Sequence, residues 1–132
     1  MKTLVPLICV VLLFGLCGCG ANVSTISGKV TLDGKILDKG DIGFHQAEGL
    51  VVSTTRINPD GSYTIGAEAK TLPGNYKVVI IANEVSIGKG PGNVPIPTRI
   101  TPLAYSNKEQ TPLKAELKVG SNEFNFDLKN TK

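Results

Sequence analysis

From Ile26 onward, apolar and polar residues alternate with a period of two, and turn sequences break the alternation roughly every ten residues. No segment there repeats its apolar residues every 3.6 positions, so this part of the chain is limited to β-strands, most of them burying one face. Ile26, Gly28, Val30 and Leu32 alternate with Ser27, Lys29 and Thr31. Asp33-Gly34 follows as a tight hairpin turn, because both residues tolerate positive φ. Asp41–His45 is the next strand, with Ile42 and Phe44 inward and His45 outward. Val51–Ile57 ends at the turn Asn58-Pro59-Asp60-Gly61, and Ser62–Ile65 returns with Tyr63 and Ile65 on one face. After Leu72-Pro73-Gly74, the apolar run Asn75–Ala82 predicts a central strand covered on both sides. Leu113–Val119 alternates again, and Gly120-Ser121-Asn122 turns the chain. Glu123–Lys129 is the last strand, with Phe124, Phe126 and Leu128 inward. About seven short strands spaced in this way predict an all-β, antiparallel sandwich.

Residues 84–112 depart from the pattern, with Pro91, Pro95, Pro97, Pro102 and Pro112 and the glycines Gly88, Gly90 and Gly92. A long connection without regular structure is unusual in a compact domain. The expectation is a crossover over the sandwich that carries one short edge strand near Arg99–Thr101.

The first residues obey different rules. Met1-Lys2 precedes an apolar run, Leu4–Leu16. As a helix this run would be about 20 Å long, against about 30 Å of bilayer hydrocarbon, which suits a cleaved signal peptide better than a membrane span. Leu16-Cys17-Gly18-Cys19 resembles the bacterial lipobox: an aliphatic residue, two small residues, then Cys. The resemblance implies that the Cys19 thiolate takes a diacylglyceryl group as a thioether. A lipoprotein signal peptidase would then cut after Gly18, leaving acyl chains such as palmitate on residue 19. The expected organisation is therefore a signal peptide over 1–18, a lipidated N-terminus and tether over 19–25, and the sandwich over 26–132. Two or three acyl chains suffice for stable anchoring. Between Cys19 and Ile26 the tether reaches at most about 25 Å. Gly20 stands where Asp marks inner-membrane retention in some Gram-negative bacteria, which favours the outer membrane of the cell envelope.

Composition narrows the function. The formal net charge is +3, and lysines are interspersed with acids, as in Lys114-Ala115-Glu116, so nothing concentrates positive charge for nucleic acid. Cys9, Cys17 and Cys19 are the only cysteines, which excludes a disulfide framework downstream of residue 19.

Ser27-Gly28-Lys29-Val30-Thr31-Leu32-Asp33-Gly34-Lys35 is similar to the opening strand and turn of the carboxypeptidase-regulatory-like domains of bacterial lipoproteins. Asp60-Gly61-Ser62-Tyr63 is similar to their DG-x-Y hairpin, and Pro73-Gly74-Asn75-Tyr76-Lys77-Val78 to their PG-x-Y-x-V strand. Tyr105-Ser106, Pro112-Leu113 and Asn122-Glu123-Phe124-Asn125-Phe126-Asp127-Leu128 follow in the same order. The resemblance covers nearly all of residues 23–129. It implies a transthyretin-like (or Ig-like) β-sandwich with no catalytic residues to carry over.

The residues offer little chemistry of their own. His45 is the single histidine and has no cysteine partner in the mature chain. Asp33, Asp38, Asp41, Glu48 and Asp60 are oxygen donors without calcium-loop spacing, and the Asp-Gly pairs are explained as turns. Gly88-Lys89-Gly90-Pro91-Gly92 lacks the Walker ending, and no row of aromatics offers a sugar platform. No enzyme activity, cofactor or metal is therefore expected. The expected role is a membrane-anchored domain for protein–protein contact or envelope structure, and the alternative is a small-ligand or carbohydrate-binding module. Segment 85–112 is the expected contact surface, with Arg99 and Tyr105 as its contact residues.

Overall fold

The computed structural model describes residues 22–50, 52–88 and 91–130. The expected signal peptide, its expected recognition residues Leu16, Cys17 and Gly18, and the expected lipidation site Cys19 lie outside the described residues. The described chain is an all-β sandwich.

One sheet is built around β1 (Ser24–Leu32). On one side β1 pairs antiparallel with β2 (Lys35–Ile36) and β5 (Ser62–Ile65). On the other it pairs with β10 (Gly120–Glu123) and β11 (Phe126–Leu128). The second sheet has the order β4-β3-β6-β9, formed by β3 (Asp41–Gln46), β4 (Val52–Arg56), β6 (Gly74–Ile81) and β9 (Lys114–Leu117). A third pair, β7 (Asn83–Ile87) with β8 (Pro95–Arg99), forms a two-stranded hairpin apart from both sheets.

Alternation decides what enters the core. Ile26 and Val30 of β1, Ile42 and Phe44 of β3, and Val78 and Ile80 of β6 are all buried in one cluster. Tyr63 and Phe126 from the first sheet meet Phe44 from the second, with ring centroids 6.1–6.5 Å apart. β6 is covered on both sides as its apolar run predicts, since Val79 is buried although its neighbours Val78 and Ile80 face the other way.

Four features differ from the sequence expectation. First, β1 runs parallel, not antiparallel, to β10 and β11. The chain leaves the second sheet at Leu117, and Gly120, with φ +95°, turns it onto the free side of β1 beside Ser24. Residues 120–122, expected as a turn, are therefore a strand. Second, the C-terminal alternation is interrupted. β10 and β11 keep one register with β1, but Phe124 and Asn125 leave the ladder between them. The Phe124 carbonyl lies against Gly28 and accepts the Tyr63 hydroxyl at 2.6 Å, while Asn125 Oδ1 takes the Lys29 N–H at 2.9 Å. Phe124 is accordingly only half-buried. Third, the Asn58–Gly61 turn is as tight as predicted, with Asn58 N–H donating to Ser62 O. It nonetheless carries the chain from one sheet to the other instead of closing a hairpin. Fourth, the short strand expected near Arg99–Thr101 is Pro95–Arg99, and it pairs with β7.

The crossover itself is present over residues 100–113. Ile100 N–H donates to Ala82 O, and Ala82 N–H donates to Thr101 Oγ1. Thr111 Oγ1 donates to Val78 O at 2.7 Å. Buried threonines thus satisfy the edge of β6 where β9 does not reach it, as buried backbone groups require. Between them a 3-10 turn, Leu103–Ser106, brings Tyr105 to β11.

Candidate functional site

The β7–β8 arm gathers several of the apolar side chains that the fold leaves outside the core, others such as Leu50 and Leu103 standing singly elsewhere. Every residue of both strands is exposed. Val85 and Ile87 are 63% and 69% exposed, and Ile96 is 52%. Residues directly opposite in an antiparallel pair share a face. Val85 lies opposite Pro97 and Ile87 opposite Pro95, so these four make one apolar face, with Asn83 and Arg99 at its base. Glu84, Ser86, Ile96 and Thr98 form the other face. On that face Ile96 folds over Gly88: a methyl group at Gly88 would stand 3.1 Å from Ile96 Cδ1.

The arm sits at one end of the sandwich and Ser24 at the other. Ser24 N–H donates to Thr71 O, and Ser24 Oγ donates to Lys118 O, which pins the start of β1 beside the start of β6. β6 then runs its eight residues, about 26 Å, to Ile81, and the arm begins two residues later. Shallow clefts of about 430 and 450 Å³ flank the arm's base. The first holds the exposed pairs Lys39–Asp38 and Arg56–Asp41, each at 3.9 Å. Surface pairs of this kind contribute little stability. Glu84 lines the second with Leu32, Asp33 and Asn130.

The two contact residues expected from sequence have different positions. Arg99 is exposed at the arm's base, opposite Asn83. Tyr105 is half-buried against the core, where its hydroxyl accepts the Lys129 N–H at 3.1 Å. It fastens the crossover to Lys129, the residue after β11, and does not present a free ring.

The remaining polar residues have separate tasks. His45 lies outward as predicted, with its ring over Gly43 and its Nε2 near where a Gly43 side chain would stand. Partial burial, and then the Lys108 charge, hold its pKa below the usual histidine value. Lys77 stands between His45 and Lys114 in adjacent strands, and the like charges of Lys77 and Lys114, opposed across the ladder, cost stability. Asp60 caps its own turn through Ser62, and Asp33 accepts from Asn130. Asp127 accepts from Thr31 Oγ1 at 2.8 Å and from Gly34 N–H at 3.1 Å, and pairs with Lys129. The Lys129 bond first, then those of Thr31 and Gly34, hold its pKa down at about 2. Among the described residues, no three of His, Cys, Asp and Glu converge as a metal site would require. Among the same residues, no helix is long and apolar enough to cross a membrane.

No protein-family model matches the chain, and no curated protein matches it. Among solved structures it is similar to a 9R-lipoxygenase from Cyanothece PCC8801, at 14% identity and a TM-score of 0.40. That match covers 83% of this chain but only 16% of the lipoxygenase. It is also similar to the dioxygenase domain of a dioxygenase carbohydrate-binding protein fusion from Streptomyces sp. SirexAA-E, at 18% identity and a TM-score of 0.41. That match covers 87% of this chain and 84% of the other. Likenesses this distant carry no information about activity or ligand.

Proposed function

We propose that this chain is a lipid-anchored protein of the bacterial cell envelope, whose non-enzymatic β-sandwich serves protein–protein contact through the β7–β8 arm. The observation that carries the reading is the arm's placement. Its apolar residues are exposed at the end of the sandwich opposite Ser24. An N-terminal lipid on Cys19 would hold the Ser24 end near the bilayer and present the arm away from it. Exposed apolar residues gathered on one element are a common mark of an interaction site. The lipobox-like Leu16-Cys17-Gly18-Cys19 supports the anchor, and Gly20 supports the outer membrane. Arg99, exposed beside the apolar face, is the contact residue kept from the sequence reading.

The test is expression of the full-length precursor in a Gram-negative host beside Cys19→Ala, with intact mass and detergent partitioning measured for both. The expected product begins at residue 19, carries acyl chains and enters the detergent phase, and the variant loses all three properties. An unlipidated, water-soluble product from both chains overturns the anchor.

A further inference from the structure

The two strands of the arm differ at their outer edges. Gly88 N–H donates to Val94 O, which fixes the even-numbered positions of β7 as those bonded to β8. Asn83, Val85 and Ile87 therefore direct their backbone N–H and C=O groups away from β8. On β8 the corresponding outward positions are Pro95, Pro97 and Arg99. Proline has no N–H, and proline on an outer edge is a common protection against strand addition. The arm thus has one blocked edge and one open edge.

We infer that the open edge joins two copies of this chain, β7 against β7, antiparallel and centred on Val85. This deepens the contact reading above and rests on it. The register of β7 suits a second copy. With Val85 opposite the partner's Val85, Glu84 meets the partner's Ser86 and Asn83 meets the partner's Ile87, so the whole strand pairs and no like charges oppose. Sliding the pairing one way sets Glu84 against the partner's Glu84, and sliding it the other way shortens the overlap.

Closure favours a second copy over a strand from another protein. A ribbon ordered β8-β7-β7-β8 carries Pro95 and Pro97 on both of its outer edges, so the assembly stops at two. A foreign strand would bring an outer edge of its own that this chain does nothing to block. Symmetric pairing through one patch is also the commonest route to a closed oligomer.

The experiment is cysteine cross-linking of the full chain in membranes, with the unsubstituted protein carried beside each variant. Val85→Cys should give a reducible band of twice the mass. Glu84→Cys with Ser86→Cys should do the same, whereas Glu84→Cys alone should not, because its diagonal neighbour lies beyond disulfide reach. Adding Val85→Pro to the Glu84/Ser86 pair removes the central N–H without touching the β7–β8 bonds. It should lower the dimer fraction about tenfold. A photo-activated benzoylphenylalanine at position 85 separates the failures. Linking only to a different protein overturns the second copy and leaves the contact reading intact. Linking to no protein at all overturns both.

Discussion

Replacing Gly28 with alanine tests the point where β1, β5 and the C-terminal strands are locked together. A methyl group there would stand 1.8 Å from the Phe124 carbonyl oxygen, 2.6 Å from its carbon and 3.0 Å from the Tyr63 hydroxyl. Two of these three are backbone atoms, so the Phe124 peptide must move by about an ångström or more. Moving it takes the acceptor from a Tyr63 side chain that is fully buried, at about 1–3 kcal/mol. It also disturbs the Phe124 N–H bond to Ser27 O and the Lys29 N–H bond to Asn125 Oδ1, at about 1 kcal/mol each. The lower entropy of an unfolded chain with alanine returns about 0.5–1 kcal/mol. The net loss is about 2–4 kcal/mol, a large share of the roughly 5–15 kcal/mol that holds a domain folded. Urea unfolding followed by far-ultraviolet circular dichroism should show the midpoint falling by about 1–2 M with little change in slope. A double-mutant cycle adds a stricter criterion. Tyr63→Phe alone should cost about 1–2 kcal/mol, yet be nearly silent in the Gly28→Ala background, where the same bond is already broken. A midpoint shift below about 0.5 M, or additive losses in the cycle, would refute the reasoning.

Three further substitutions test other parts of the structure. The Asp127 carboxyl, with its pKa held down at about 2, gives stability that is present above the ordinary carboxylate value of 3.8 and is lost as pH falls through about 2. Asp127→Asn should therefore flatten the stability profile across that window, and parallel profiles for the two proteins would dismiss the carboxylate's part in it. Tyr105→Phe, which removes the acceptor of the Lys129 N–H, should cost about 1 kcal/mol, whereas Arg99→Ala should leave the unfolding midpoint unchanged. Equal effects from the two changes would contradict their assignment to latch and surface.

The sequence revealed this fold wherever the determinant was local. Asp33-Gly34 adopts φ of 51° and 80°, as a two-residue hairpin turn between Leu32 and Lys35 requires. Tyr63 and Phe44 are buried as their alternation predicts. Legibility failed where a distant partner decides the outcome. Gly120-Ser121-Asn122 has the composition of a turn, and it is a strand because the backbone of β1 lies beside it and Asn122 Nδ2 bonds to Thr25, Lys118 and Gly120 carbonyls. The Asn58–Gly61 signal is the same whether the next strand joins its own sheet or the facing one, and pairing with β1 decides between them. In the arm, the proline-rich sequence concealed a strand. Pro95 and Pro97 occupy positions whose N–H groups would have pointed to solvent, so their ring nitrogens cost the hairpin nothing. Tyr105 was legible as a feature but not as a latch, because Lys129 lies far from it in sequence.

The parallel pairing of β1 with β10 and β11 also sets the order in which the molecule can be completed. Lys29 and Asn125, which meet at the break between those strands, are 96 residues apart. A chain that emerges N-terminus first, from a ribosome or through a translocation channel, exposes β1 long before its neighbours on that side exist. Until Gly120–Leu128 has emerged, one side of β1 stays without its ladder. Early folding can reach the β3–β4–β6 portion of the second sheet, whose pairs are closer in sequence, but closure of the sandwich waits for β10 and β11. Such a chain stays extended along one side of β1 while it is being made and becomes compact only after Gly120–Leu128 has emerged.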